Sequence, residues 1–249
     1  MKSIAPVAAV ANFKGGVGKS TTALMLADGL AWYYGLNVIV YDFDAQANLS
    51  QLLLTGEGVQ RALNCEHGIT PILETFAPND PRPISDTHRA LDTVRACAIE
   101  ELVKNRDKTG SSEGWISLLP AHPHMRFLEP WLERSPGPGW YDVGDAIVGR
   151  VNEATLAERE AADIVIIDCP PHVSALCRAA LKMADVYVTP TLPEALSIWG
   201  VTQFAKWMTH AEMQEWLHLT RDEFAARQFV VATRLVRASA TQRRALEII

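Results

Sequence analysis

The sequence has few of the features that mark membrane-spanning, secreted or metal-cluster proteins. None of its apolar runs is long enough to cross a bilayer, and the first starts too near the N-terminus to leave room for a signal peptide. The cysteines form no C-x-x-C pair, which argues against a disulfide framework and a zinc site. They are Cys65, Cys97, Cys169 and Cys177. We therefore expect reduced thiols, with Cys169 in the core, and a cytoplasmic protein.

An excess of positive charge is also absent. The formal net charge of the 249 residues is −6, which argues against a basic coat for nucleic acid over the whole surface. A local basic patch remains open, because residues 221–249 contain six arginines and three acidic residues. Since 48% of the residues are hydrophobic, the chain can bury one sizeable core, and we expect a single domain over residues 1–249.

Short apolar runs alternate with segments of helical periodicity. This pattern is typical of an α/β fold of three layers, in which a mostly parallel central sheet is covered by helices on both faces. The predicted strands are Val7–Ala11, Val38–Tyr41, Trp115–Leu119, Ile164–Ile167, Val186–Thr189 and Phe229–Ala232. The predicted helices are Ser20–Tyr34, Leu91–Lys104, His122–Glu133, Val143–Ala161, Ala175–Met183 and Ser197–Leu217.

The segment 55–142 is the least regular part of the sequence. It holds nine of the fourteen prolines, which we interpret as surface loops because a predicted strand lies among them. Two histidines, His122 and His124, stand two residues apart in this segment. Without a third ligand nearby, a solvated pair is favoured over a metal site.

A glycine-rich stretch, Lys14-Gly15-Gly16-Val17-Gly18-Lys19-Ser20-Thr21, joins the first predicted strand to the first predicted helix. Such a loop is typical of phosphate binding: backbone N–H groups surround the phosphates, a lysine reaches the terminal ones, and a serine hydroxyl binds Mg²⁺. The start of the helix also favours an anion. We predict a P-loop in which Lys19 meets the phosphates and Ser20 meets the metal. The remaining nucleotide contacts are Gly15, Gly16, Val17, Gly18 and Thr21.

Carboxylates stand at the ends of two other predicted strands. Alternation along a strand places Asp42 and Asp44 on one side of the chain, at the sheet edge where ligands bind in open α/β folds. Asp168 follows four apolar residues, as in a Walker B element that carries a carboxylate to the water shell of a metal. Oxygen ligands of this kind suit Mg²⁺ and an attacking water.

Together these motifs resemble those of the ParA/MinD ATPases, which are P-loop proteins with a variant loop. Residues 14–20 match that loop, and the strict P-loop pattern would instead require glycine at Phe13. Residues 42–48 resemble the signature D-x-D-P-Q-x-N with Ala45 in place of proline, and residues 168–171 resemble its D-x-P-P ending. The resemblance covers most of the chain up to about Leu246.

The resemblance implies roles for individual residues. In that family the first lysine of the loop, here Lys14, reaches across a homodimer to the nucleotide of the other subunit. Asp44 would orient or activate the attacking water, and Asp42 would act in the outer shell of the Mg²⁺. The cofactors implied are ATP and Mg²⁺, and the reaction is hydrolysis of ATP to ADP and phosphate.

The segment Pro190-Thr191 with Gly200 looks most like that of small ParA-type partition ATPases. This implies an ATP-bound homodimer, a ParB-like activator, non-specific DNA binding and association with the nucleoid. The candidate DNA contacts are Arg234, Arg237, Arg243 and Arg244, with an ordinary arginine-rich helix face as the alternative. Relatives continue beyond residues 241–249, so we expect a truncated or reduced C-terminal edge.

Two other functions stay open at the level of sequence. The same ATPase could position a protein assembly or a secretion complex, or a P-loop enzyme could phosphorylate a small substrate. A membrane role is not expected, because no amphipathic tail of the MinD kind follows residue 249. The absence of paired cysteines also argues against the cluster-binding relatives of this family.

Overall fold

A computed structural model of the chain describes residues 4–54, 57, 68–74, 114–132 and 142–233. Within these residues, six strands form one sheet in the order β3-β2-β4-β1-β5-β6, and every neighbouring pair is parallel. The strands are β1 (Val7–Val10), β2 (Val38–Asp42), β3 (Ile116–Leu119), β4 (Ile164–Asp168), β5 (Val186–Thr191) and β6 (Gln228–Ala232). The predicted α/β fold with a parallel sheet is confirmed, and the predicted strand ends agree to within two residues.

Helices cover both faces of this sheet. They are α1 (Lys19–Tyr34), α2 (48–54), α3 (Ile69–Glu74), α4 (Met125–Leu132), α5 (Asp142–Ala161), α6 (Ala175–Met183), α7 (Ala195–Met208), α8 (Ala211–Leu217) and α9 (Arg221–Arg227). The central strands β1, β2 and β4 are buried along nearly their whole length without alternation, because each side of the sheet packs against helices. Along the edge strand β6, partly buried and exposed residues alternate. On one face Val38 and Val40 join a core with α1, and on the other Ile39 and Tyr41 join a core with α5, α6 and α7.

The predicted single helix Ser197–Leu217 is wrong, because the chain forms two helices here. At Thr209 the hydroxyl donates to the carbonyl of Ala205 at 2.8 Å, and His210 adopts an extended conformation that starts α8. A threonine hydroxyl that bonds the preceding turn competes with the backbone and favours such a break. The predicted helix Leu91–Lys104 lies outside the described residues.

One close approach fixes the start of β3 against the end of α1. A Cβ atom on Gly114 would lie 2.5 Å from the carbonyl oxygen of Ala31 and 2.6 Å from that of Leu36. We expect Gly114→Ala to lower the free energy of unfolding by about 1–3 kcal/mol, because backbone atoms cannot yield as a side chain can. Urea denaturation would measure the loss.

The matched control is Gly29→Ala in the middle of α1. No atom lies within 4 Å of a Cβ at Gly29, so alanine should stabilise the helix by up to about 1 kcal/mol. Equal denaturation midpoints for the two variants would contradict the close approach at Gly114.

Candidate functional site

The three central strands end level with one another. Asp168 at the end of β4 is in register with Val10 at the end of β1 and with Asp42 at the end of β2. Because all three strands are parallel, the loop that follows β1 and the aspartates of β2 and β4 meet at one edge of the sheet. The sequence elements predicted to form a site therefore lie together.

The glycine-rich loop after β1 takes a conformation that depends on its glycines. Gly16 has φ 74° and Gly18 has φ 91°, values in the left-handed region that glycine adopts without strain. Helix α1 begins directly after Gly18, and no side chain caps its first turn. The free N–H groups at this end of the helix suit an anion such as a phosphate.

The lysine that opens α1 is buried. Only 7% of Lys19 is exposed, and its Nζ donates to the carbonyl oxygen of Lys14 at 3.3 Å. Burial lowers the pKa of Lys19, while the carboxylates of Asp168 and Asp44 act in the opposite direction. An anion bound at the start of α1 would offset the cost of keeping this cation out of water.

The other lysine of the loop points away from the cleft. The Nζ of Lys14 donates to Glu194 Oε1 at 2.6 Å and to Ser197 Oγ at 2.8 Å. The hydroxyl of Ser197 in turn donates to the same Glu194 oxygen at 2.9 Å. Lys14 is therefore held by the N-terminal end of α7 in its own chain, with 30% of its side chain exposed.

Two other side chains fasten the glycine-rich loop to the sheet. The side chain of Asn12 accepts from the backbone N–H of Lys14 at 2.9 Å and donates to the carbonyl oxygen of Pro190 at 2.9 Å. At the far end of the loop, the hydroxyl of Thr233 donates to the carbonyl oxygen of Val17 at 2.8 Å. These contacts hold the loop against the ends of β5 and β6. Val17 takes part through its backbone carbonyl oxygen.

Asp42 is completely buried and held by hydrogen bonds. One of its oxygens accepts from the backbone N–H and the hydroxyl of Ser50, at 2.8 and 2.7 Å, and the other accepts from the N–H of Asp44 at 3.2 Å. Burial raises its pKa to about 7, although the hydrogen bonds from Ser50 favour the ionised form. The hydroxyl of Ser50 also accepts from the N–H of Ala121. Asp42 thus connects β2 to α2 and to the loop after β3.

Asp44 is the aspartate that reaches the cleft. Its Oδ1 accepts from the backbone N–H of Gln46 at 2.9 Å, which sets the direction of the carboxylate. The side chain of Gln46 is in turn held by Arg126, whose Nη2 donates to Gln46 Oε1 at 2.6 Å. Asp44 therefore stands on a loop that is braced by a residue of α4.

The buried carboxylate of Asp168 fits a cation best. Both of its carboxylate oxygens are buried and accept no hydrogen bond of normal geometry from the described residues, although the Ser20 hydroxyl lies near enough to favour ionisation. Burial raises the pKa of Asp168, and the charge of Asp42 raises it further. A cation beside Ser20 would offset both effects, and the available donors are the oxygens that Mg²⁺ prefers.

Binding of Mg²⁺ would depend on oxygens of the nucleotide as well as on those of the protein. Among the described residues no group of three or more His, Cys, Asp and Glu side chains could hold a metal by itself. Mg²⁺ keeps several waters and takes phosphate oxygens as ligands, so a hydroxyl and nearby carboxylates are sufficient. The residues at the start of α1 and the end of β4 fit that requirement.

These residues surround a cleft of about 690 Å³. The walls come from the glycine-rich loop and the start of α1, from the loop after β2, and from α2. Of the residues predicted from the sequence, the walls contain Gly15, Gly16, Gly18, Lys19, Ser20, Thr21 and Asp44. Asp42, Asp168 and Val17 are buried, Lys14 is turned towards α7, and Arg234, Arg237, Arg243 and Arg244 lie outside the described residues.

Comparison with known proteins finds relatives in the ParA family. Over 207 residues the chain is 30% identical to a ParA family protein of Chlamydia pneumoniae, a match that spans 82% of this chain and 64% of that protein. It is 28% identical over 197 residues to the sporulation initiation inhibitor protein Soj of Bacillus subtilis strain 168, spanning 79% of this chain and 62% of that protein. The chain thus spans less than two thirds of the length of these relatives.

Solved structures share the fold at lower identity. A cobyrinic acid a,c-diamide synthase from Mycobacterium smegmatis with bound ATP analog and magnesium superposes with a TM-score of 0.65 at 22% identity, covering 98% of this chain and 81% of that one. A plasmid partition protein from Borrelia burgdorferi superposes with a TM-score of 0.60 at 18% identity, covering 99% and 85%.

The parallel sheet, the glycine-rich loop and the aspartates at the strand ends define a P-loop nucleotide-binding protein. The family model described as AAA domain matches residues 5–220, and the chain belongs to that family. The ParA relatives confirm the predicted ParA/MinD type of P-loop ATPase, for which ATP and Mg²⁺ are the cofactors. No described helix combines the length and the apolar character needed to cross a membrane.

Proposed function

We propose that this chain is an ATP-dependent dimerising switch of the ParA type that partitions plasmid or chromosomal DNA. The observation that carries the proposal is that the side chains of the two lysines of the loop point in different directions. Lys19 is buried in the cleft of its own chain, whereas Lys14 is partly exposed and directed out of it. A lysine placed like Lys14 could reach the phosphates of another subunit, where it would offset concentrated negative charge.

Within one chain, some residues of the site bind the nucleotide and the metal, and others act in hydrolysis. Lys19 and the N–H groups at the start of α1 bind the phosphates, and Ser20 with Asp168 holds the metal side of the cleft. When bound, magnesium supplies positive charge that polarises the terminal phosphate. Asp44 is oriented by the N–H of Gln46. Its carboxylate positions the attacking water by accepting a hydrogen bond from it. Asp42 supports this arrangement from the outer shell through its bonds to Ser50.

For two chains to pair, Lys14 must leave Glu194 and Ser197 and contact the nucleotide of the other chain. The hydrogen bond from Lys14 holds the pKa of Glu194 below its usual value, and this carboxylate competes with a nucleotide for the amine. Ion pairs at exposed positions are weak, and a triphosphate carries more charge than one carboxylate. The γ-phosphate therefore favours the dimer, since a ligand shifts an equilibrium only by its differential affinity for the two states.

Multi-angle light scattering tests the switch directly. We expect the mass of two chains with ATP or a non-hydrolysable analogue, and the mass of one chain with ADP. Equal mass under all three conditions would contradict the proposal. The ADP sample is the matched control, because it fills the same cleft without the γ-phosphate.

The cargo is tested separately from the switch. In the ATP state we expect non-specific DNA binding that weakens steeply with salt, as contacts between arginines and phosphates release counterions. A ParB-like partner should then accelerate hydrolysis and release the DNA. An ATP-dependent dimer without affinity for DNA would instead support the positioning of a protein assembly.

A further inference from the structure

The exposed side of α7 changes character along the helix. Near the N-terminal end it presents Leu196, 72% exposed, and Trp199, 63% exposed. Towards the C-terminal end the exposed residues are Thr202 and Lys206. Leu196 and Trp199 are three positions apart and so lie on one face of the helix. We refer to these two residues as the α7 patch.

The α7 patch borders Lys14. Leu196 directly precedes Ser197, whose hydroxyl accepts from the Nζ of Lys14 at 2.8 Å. Trp199 directly precedes Gly200, where a Cβ atom would lie 3.5 Å from the Cβ of Lys14. One residue corresponds to about 100° of rotation around a helix, so both patch residues flank the side of α7 that packs against Lys14. The helix is apolar on its outer side only where it adjoins this lysine.

A third exposed apolar side chain stands at the nucleotide cleft. Leu52 of α2 is 54% exposed and forms part of the cleft wall that also contains Asp44. Large apolar side chains thus occur both beside Lys14 and beside the cleft. Apolar residues grouped at a functional site mark an interaction surface more often than residues scattered singly.

We propose that the α7 patch is an apolar anchor of the interface between two copies of this chain, with Trp199 as its centre. The inference rests on the proposed function, because it takes the ATP-dependent dimer as its setting. Even an extended lysine side chain is shorter than the width of one helix, so a second copy that brings its cleft to Lys14 must also cover the residues flanking Lys14. The patch is therefore exposed in the single chain and buried in the pair.

The charges beside the patch suit a second copy. Lys14 and Glu194 place opposite charges next to the apolar pair. In a two-fold symmetric dimer the same surface meets itself, so each surface must be complementary to its own copy. A surface with both signs of charge and an apolar part satisfies that condition. Tryptophan is enriched among the residues that dominate interface energies and leucine is not, so Trp199 should contribute more than Leu196.

Sedimentation of Trp199→Ala and Leu196→Ala with a non-hydrolysable ATP analogue tests the patch. We expect Trp199→Ala to raise the dimer Kd at least about thirtyfold, and Leu196→Ala to raise it less. Binding of a fluorescent ATP analogue by the single chain should be unchanged, which also shows that the variants fold. The matched control is Tyr33→Ala, because Tyr33 is 80% exposed near the end of α1 that is remote from the cleft, and it should pair as the unaltered chain does.

The outcomes separate this inference from the function on which it rests. Normal pairing by Trp199→Ala overturns the inference and leaves the switch intact. A single-chain mass for the unaltered protein with ATP overturns both. Normal pairing by Trp199→Ala with loss of stimulation by a partner protein also overturns the inference, since the patch would then bind that partner.

Discussion

Replacing Lys14 with alanine is expected to leave ATP binding intact and to abolish ATP-dependent pairing at ordinary protein concentrations. The cleft keeps Lys19, Ser20 and the N–H groups of α1, and Lys14 is not part of its walls. In the dimer each subunit would lose one charged hydrogen bond to phosphate. Two such losses at about 1.5 kcal/mol or more each raise the dimer Kd at least about a hundredfold. Sedimentation equilibrium with a non-hydrolysable analogue measures the change.

Two further variants make this experiment specific. Lys206→Ala removes the same charge from the polar end of α7 and should not alter pairing. Glu194→Gln removes the charged partner that holds Lys14 in the single chain and should strengthen pairing, because the amine is released at lower cost. Pairing of Lys14→Ala like that of the unaltered chain would contradict the role across the interface. Weaker pairing of Glu194→Gln would show that the charge of Glu194 contributes more to the contact with the second copy than to holding Lys14 in the single chain.

The fold could be predicted because its signals are local. The central strands β1, β2 and β4 are short, mostly apolar runs buried on both faces of the sheet, and such runs are visible in the sequence. The helix break at Thr209 was missed because the apolar periodicity continues across it. Helix α9 was also missed, although Thr220 and Glu223 form a capping box that is readable as T-x-x-E in the sequence.

The site could be predicted only in part, for a related reason. A glycine-rich loop after a strand and aspartates at the ends of parallel strands meet because of topology, and both are visible in the sequence. The residues that hold them are distant in the chain and carry no local signal. Glu194 stands 180 positions from Lys14, and Thr233 stands 216 positions from Val17. Only packing brings such pairs together, so they were found in the structure.

Replacing Asp44 with alanine is expected to separate pairing from hydrolysis. Asp44 is the aspartate on the cleft wall, whereas Asp42 is occupied by its bonds to Ser50. Loss of the group that orients the attacking water should lower the rate of phosphate release at least about a hundredfold. The γ-phosphate is still present in this variant, so ATP itself should hold the dimer as the non-hydrolysable analogue does. Phosphate release and light scattering on the same sample measure both properties.

The comparison with Asp42→Asn locates the origin of the effect. Both oxygens of the buried Asp42 accept hydrogen bonds from Ser50 and Asp44. Asparagine would present an NH2 group to one of these donors, so replacement of Asp42 should lower the free energy of unfolding as well as activity. Asp44→Ala changes a residue at the cleft wall and should unfold at nearly the same urea concentration as the unaltered chain. Rapid hydrolysis by Asp44→Ala would contradict its role with water. Slow hydrolysis with loss of the ATP dimer would mean that Asp44 acts in pairing, and the order of events in the switch would have to be revised.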